Sequence, residues 1–166
     1  MLRAILLPLG LLSACTGAKP DDSGTNPADS ASDTSDSDSS YDVCQDPAGL
    51  REDVTTNGTV VLDGITMASS TPLADIVADP GSFDGQAMQI EGVIVEVCQT
   101  KGCYTILSDG DSHTVVLKVE DGAFDFRDVT DTGYYAVGEG TFSPTGEYGP
   151  QVQISGAMVG TIQCAF

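Results

Sequence analysis

The stretch AMQIEGVIVEVCQTKGCYTILS, residues 87–108, decides the fold of this chain. It contains two runs rich in β-branched and apolar residues, separated by a four-residue turn, QTKG. A glycine-containing turn of this length between two such runs is typical of a β-hairpin. Cys98 and Cys103 flank the turn, so a hairpin would bring them close together across the two strands. We therefore predict an antiparallel pair of strands with a cysteine on each side of its turn.

Further β-rich runs precede and follow this hairpin, with Gly, Asp, Ser and Pro between them. The predicted strands cover residues 59–65, 87–98, 103–108, 113–120, 134–142 and 152–159. Thr71 and Pro72 suit the start of one short helix, which Asp79-Pro80-Gly81 would end. Gly92 and Gly138 fall inside strands, where glycine often marks a bulge or a barrel bend. We predict a mainly β domain, a small OB-like antiparallel barrel of five to six strands with one short helix; a β-sandwich is the alternative.

The first fifteen residues have the layout of an export signal. Arg3 precedes the apolar run AILLPLGLL, and small residues then lead into Cys15. Leu12-Ser13-Ala14-Cys15 resembles the lipobox of bacterial lipoproteins, in which the cysteine becomes the mature N-terminus and carries acyl chains such as palmitate. The resemblance implies a signal peptide at residues 1–14, lipidation of Cys15 and a membrane anchor made of several acyl chains.

Residues 15–42 differ in composition from everything that follows. The segment after Cys15 is rich in Ser, Asp, Thr, Gly and Pro and has no Val, Leu, Ile or Phe. Such a segment cannot bury enough apolar surface to offset the entropy of ordering, so we predict a disordered acidic linker. The remaining residues, 43–166, are enough for one β-barrel domain with a single core.

The charge of the chain excludes one large class of partners. Its formal net charge is −19, and the domain contributes 17 Asp and Glu residues from Pro47 onward against four Lys and Arg. An acidic surface repels phosphate backbones, so we expect no nucleic-acid partner. It also disfavours contact with anionic lipid headgroups, so membrane contact is expected through the acyl chains alone.

Three segments carry a family resemblance: residues 72–76 (PLADI), 83–86 (FDGQ) and 90–104 (IEGVIVEVCQTKGCY). Together they resemble a family of small exported bacterial lipoprotein domains of unknown function, whose members share Val-Cys, a short turn and Gly-Cys-aromatic. The similarity spans about residues 71–141. It implies an OB-like fold and an envelope location, and no settled activity.

The four domain cysteines allow three disulfide connectivities. An even number of cysteines in an exported chain favours disulfides. Cys98 and Cys103 face each other across the predicted hairpin, whereas Cys44 and Cys164 lie at the two ends of the domain, and the ends of small domains are often close. We predict the pairs Cys98–Cys103 and Cys44–Cys164, with no cofactor.

Two alternatives use the Cys98/Cys103 pair chemically. In the first, the two thiolates bind a soft metal, copper or zinc, with His113, Met88 or Met158 completing the site. In the second, the pair is a redox-active dithiol, although the Cys-x-x-Cys spacing and the βαβ context of such sites are missing.

No motif predicts catalysis. The chain has a single His and no nucleophile elbow, zinc-protease or Walker pattern, so we expect a non-enzymatic protein. Tyr104, Tyr134, Tyr135 and Tyr148 are predicted to be exposed, and such residues on a barrel face can line an oligosaccharide or peptide groove. We expect a lipid-anchored binding or interaction module of the cell envelope, in the outer membrane if the bacterium has one, because Thr16 rather than Asp follows the lipid cysteine.

Overall fold

The structure is a computed structural model, and it describes residues 44–165. The predicted signal peptide, Cys15 and the predicted linker lie outside these residues. The described elements are two helices and six strands, with short 3-10 turns at Pro80–Phe83 and Phe126–Asp128. In chain order they are α1 (Pro47–Asn57), β1 (Thr59–Leu62), α2 (Leu73–Ala78), β2 (Ala87–Val97), β3 (Tyr104–Ser108), β4 (Thr114–Lys118), β5 (Tyr134–Gly146) and β6 (Gly149–Gln163).

Five of the strands form a ring. β2 pairs with β3, β3 with β4, β4 with β6, β6 with β5, and β5 returns to pair with β2. β1 adds to the outside of this ring along β6. The predicted mainly β, OB-like class is confirmed. One detail of the prediction was wrong, because β4 and β6 run parallel rather than antiparallel.

The helices differ from the prediction. α2 is the predicted helix, but Pro72 rather than Thr71 occupies its N-cap, and the Thr71 N–H donates to the Gln89 carbonyl instead. The longer helix α1 was not predicted. The Asp46 side chain caps it by accepting from the Ala48 N–H at 3.0 Å, and Pro47 stands in its first turn, which are favourable choices for a helix start.

Both helices are held against the strands by apolar side chains. Leu50 and Val54 of α1 pack with Tyr135 and Val137 of β5. Leu73 and Ile76 of α2 join the main core inside the ring. The largest fully buried side chains of that core are Phe126, Phe142, Ile76, Ile90, Ile94, Leu107 and Leu117.

A buried carboxylate fixes the loop between β1 and α2. Glu139 of β5 is 7% exposed and accepts from the Thr66 N–H at 2.7 Å, the Met67 N–H at 2.8 Å and the Thr66 hydroxyl at 2.8 Å. Burial raises the pKa of Glu139, but the hydrogen bonds from Met67 and Thr66 outweigh it and leave the pKa below its usual value. The loop is therefore fastened to the ring by an ionised side chain.

Candidate functional site

Residues 98–103, which we call the cysteine turn, join β2 to β3. The Cys98 N–H donates to the Tyr104 carbonyl at 3.0 Å, and the Gly102 N–H donates back to the Cys98 carbonyl at 3.0 Å. These bonds close the turn and place the two cysteines on its opposite sides. Both side chains are buried, with Cys98 9% and Cys103 2% exposed, whereas Gln99, Thr100 and Lys101 between them are exposed.

The connection between β4 and β5 clamps this turn. The Phe126 N–H donates to the Gly102 carbonyl at 2.9 Å, and Arg127 Nη1 donates to the Gln99 carbonyl at 2.9 Å. Asp125 orients the guanidinium by accepting from Arg127 Nε at 2.8 Å. Gly102 has φ +65°, and a Cβ there would lie 1.7 Å from Asp125 Oδ1. Any other residue would be strained here, since the backbone is left-handed and a Cβ would have to displace the Asp125 side chain.

The two thiols are free in the structure, so the predicted Cys98–Cys103 disulfide is not formed. Each sulfur instead has polar partners of its own. Lys118 Nζ lies 3.6 Å from Cys103 Sγ. The backbone N–H groups of Lys101, above all, and of Thr100, Gly102 and Cys103 outweigh the effect of burial and lower the pKa of Cys98.

Basic residues are concentrated beside the cysteine turn. Residues 44–165 contain four Lys and Arg residues, and three of them lie at the turn. Lys101 belongs to the turn, Arg127 donates to its backbone, and Lys118 lies against the Cys103 sulfur. Lys101 and Lys118 share one partner, Asp121, at 3.0 and 3.1 Å. Three of the four basic residues of the described domain therefore lie at the turn, together with Asp121 and Asp125.

The second predicted cysteine pair is bonded. Cys44 and Cys164 form a disulfide with a Cα–Cα distance of 5.7 Å, and it joins the residues before α1 to the residues after β6. The prediction rested on the closeness of domain ends, and the structure brings those ends together.

His113, Met88 and Met158 do not join the cysteine turn, so the predicted third metal ligand is wrong. His113 stands just before β4, at the opposite end of that strand from Lys118, and its Nδ1 lies 2.7 Å from Asp109 Oδ2. Met88 and Met158 are opposite Gly140 and Val137 in the strand register. Among residues 44–165, no group of three or more His, Cys, Asp or Glu side chains is placed to hold a metal.

The tyrosines divide into exposed and buried members, unlike the prediction that all four are exposed. The rings of Tyr104 and Tyr148, which we call the tyrosine platform, have centroids 4.2 Å apart and planes inclined by 30°. Tyr148 is 42% exposed, while Tyr135 is 6% exposed and belongs to the core with α1. Tyr134 is half-buried.

The platform is held in place from both sides. The Tyr104 hydroxyl donates to Glu96 Oε1 at 3.0 Å, and this bond, with burial and the nearby charge, raises the pKa of Tyr104 to about 12. Tyr104 is also opposite Lys118 in the β3–β4 register. Tyr148 comes from the tight turn between β5 and β6. The platform thus combines the β5–β6 turn with the start of β3.

A separate cleft of about 290 Å³ lies among α1, α2, β2 and the β3–β4 turn. Its walls include Leu50, Leu73, Val93 and Tyr135. Arg51 and Glu91 form an ion pair beside it, and Arg51 Nη2 also donates to Gln89 Oε1 at 2.7 Å. This cleft was not predicted, because α1, which forms one of its walls, was not predicted either.

Comparisons with known proteins assign no family. No family model matches the chain, and no curated protein matches it. Among solved structures it is similar to OBody AM1L10 bound to hen egg-white lysozyme, with 16% sequence identity and a TM-score of 0.43. The alignment covers 57% of this chain and 97% of that one. Within residues 44–165, no helix is long and apolar enough to span a membrane.

Proposed function

We propose that this chain is a lipid-anchored protein of the bacterial cell envelope whose β-domain binds an oligosaccharide on the tyrosine platform. The observation that carries the binding proposal is the position of Tyr104 and Tyr148 in the ring. In OB-type barrels the second and third strands, with the loops after the first and fourth, form the ligand surface. Counted from β2, these are β3, β4, the cysteine turn and the β5–β6 turn, which are the elements around the platform.

The surroundings of the platform favour a neutral ligand. Lys101 and Lys118 share Asp121, which offsets one of their two positive charges. Glu96 and Glu147 flank the two tyrosines and add negative charge. Tyrosine rings provide flat apolar faces with a polar edge, which suits sugar rings that have both apolar faces and hydroxyl groups.

Binding can be measured by two-dimensional amide NMR of the full chain with soluble neutral oligosaccharides, such as cello- and chito-tetraose. We expect shift changes at residues of β3, β4 and the β5–β6 turn, and Tyr148→Ala should remove them. Val60→Ala is the matched control, because Val60 is 56% exposed on β1, outside the ring. Shift changes confined to the cleft beside Leu50 would contradict the oligosaccharide proposal. Shift changes that appear with lysine-rich peptides and not with sugars would contradict it as well.

The anchor proposal is supported by the Arg3 charge, the apolar run and the lipobox-like residues that end at Cys15. It is tested separately from ligand binding. Cys15→Ser should abolish labelling of the protein by palmitate in cells and release it from the membrane fraction or stop its processing. Mature protein that remains in the membrane pellet after this change would refute the anchor.

A further inference from the structure

The cysteine turn is not explained by sugar binding. Cys98 and Cys103 are buried free thiols on a turn that hydrogen bonds from Phe126 and Arg127 hold rigid. A turn that only links two strands needs neither sulfur nor a clamp. The positions of Lys118 and of the turn's own N–H groups stabilise negative charge at the sulfurs.

The number of available ligands restricts the chemistry of this turn. Structural zinc takes four protein ligands and catalytic zinc takes three, whereas the described residues hold two thiols here and no group of three or more His, Cys, Asp or Glu side chains placed to bind a metal. Thiolates are soft ligands that bind both Cu(I) and zinc, and the number of ligands distinguishes the two. A two-thiolate site therefore suits a soft monovalent ion of low coordination number better than it suits zinc.

The charges near the turn fit such an ion. Two thiolates and one monovalent cation form a complex of charge −1, and binding releases two protons from the two thiols. Lys118, whose side chain is 13% exposed and whose Nζ lies 3.6 Å from Cys103 Sγ, supplies one compensating positive charge. The attraction between Lys118 and the negatively charged complex is strong, because the lysine side chain is so little exposed to solvent.

The residues between the two buried cysteines lie at the surface, since Gln99, Thr100 and Lys101 are all exposed. The clamp from Arg127 and Phe126 keeps the backbone of the turn in place around the sulfurs.

We propose that the cysteine turn is a binding site for one soft monovalent metal ion, Cu(I) or its redox-inert analogue Ag(I), held by Cys98 and Cys103 and charge-compensated by Lys118. The site does not depend on the oligosaccharide proposal, because its ligands are the sulfurs and not the tyrosine rings. It also differs from the metal site predicted from the sequence, since His113 and the methionines have no part in it.

The first test uses the full chain with Cys15→Ser, purified anaerobically without tags, so that only the four domain cysteines are counted. Thiol titration in denaturant without reductant should find about two free thiols, and competition with bicinchoninic acid should show about one Cu(I) bound per chain. Ag(I) should bind with the same stoichiometry and raise the thermal midpoint. No free thiols would mean that a Cys98–Cys103 disulfide occupies the turn and would overturn the proposal.

Variants then locate the ion. Cys98→Ser and Cys103→Ser should each abolish Cu(I) binding, whereas the double variant Cys44→Ser/Cys164→Ser should retain it. Lys118→Gln should weaken the affinity about tenfold, and Lys118→Arg should restore most of it. His113→Ala is expected to have no effect. If Cys98→Ser protein is folded by circular dichroism and still binds one Cu(I) per chain, the site is refuted. If that variant does not fold, the thiol count and the Cu(I) stoichiometry of the protein with both cysteines still test the proposal.

Discussion

At the scale of single residues, Gly102 bears the tightest constraint on the cysteine turn. Its φ is +65°, and a Cβ at this position would lie only 1.7 Å from Asp125 Oδ1, so alanine must displace the clamp. We expect Gly102→Ala to lower the free energy of unfolding by about 2–4 kcal/mol, because backbone strain and a collision with a packed ion pair act together.

The matched control for this substitution is Gly85→Ala. Gly85 has a similar φ of +71°, but nothing lies within 4 Å of the position that its Cβ would occupy. Gly85→Ala should therefore show the backbone strain alone, about 1 kcal/mol. Both values follow from urea denaturation monitored by circular dichroism. Equal losses for the two variants would show that Asp125 and Arg127 exert no steric constraint on the turn.

Glu139 provides a residue-scale prediction for the effect of pH. Its folded pKa is depressed below the ordinary value of 4.5, so its contribution to stability is complete above about pH 4.5 and is lost as the pH falls through the folded pKa. Glu139→Gln should cost about 1–3 kcal/mol at pH 7, since an amide cannot accept all the hydrogen bonds that the carboxylate accepts.

Denaturation of wild type and Glu139→Gln at several pH values checks this prediction. The difference between the two proteins should shrink towards acid pH, where the wild-type carboxylate becomes protonated. Glu120→Gln, at an exposed position, is the control and should leave both the stability and its pH dependence unchanged. A difference that stays constant from pH 7 to pH 3 would show that Glu139 is neutral in the folded protein.

At the scale of elements, α1 is fastened to β6 by one carboxylate. Asp53 accepts from the Thr161 N–H at 2.7 Å, the Thr161 hydroxyl at 2.9 Å and the Ile162 N–H at 3.3 Å. Asp53→Ala should cost about 1–2 kcal/mol, a modest value because the side chain is partly exposed. Hydrogen exchange should become faster at Thr161 and Ile162 and remain unchanged in β3. Glu52→Ala, at the exposed neighbouring position, should change neither quantity.

The elements also show what sequence could predict. The hairpin of β2 and β3 was predicted nearly to the residue, because an uninterrupted β-rich run and a glycine turn are local signals. Helix α1 was missed because its stretch PAGLREDVTTN buries only Leu50 and Val54, too few apolar positions for a clear helical period. The parallel β4–β6 pair was missed because pairing between strands distant in sequence has no local signature.

The candidate site was likewise predictable only where its signals are local in the sequence. The cysteine turn and its Lys were visible in the sequence, but the approach of Lys118 to Cys103 and the clamp from Arg127 depend on chain segments that the fold brings together. The same holds for the stacking of Tyr104 on Tyr148, which are 44 residues apart in the chain and meet only when β5 and β6 close the ring.

At the scale of the whole molecule, the Cys44–Cys164 disulfide closes nearly the entire domain, with a sequence separation of 120 residues. In the chain-entropy model a loop of this size contributes up to about 5 kcal/mol, so Cys44→Ser/Cys164→Ser should lower the free energy of unfolding by several kcal/mol. Urea denaturation with and without reductant measures the effect. Reductant should destabilise the wild type and have no further effect on the double variant; further loss there would reveal a second disulfide in the described domain.

The same bridge has a mechanical consequence. A pulling force applied to the chain before Cys44 and after Cys164 would pass from one end to the other through a covalent bond and would leave the strands of the ring unloaded. In single-molecule stretching the oxidised domain should therefore add almost no length, whereas the reduced domain should unravel and lengthen. Tension on an anchored protein would then be borne at the base of the domain, and the surface that carries the tyrosines and the thiols would keep its shape under load.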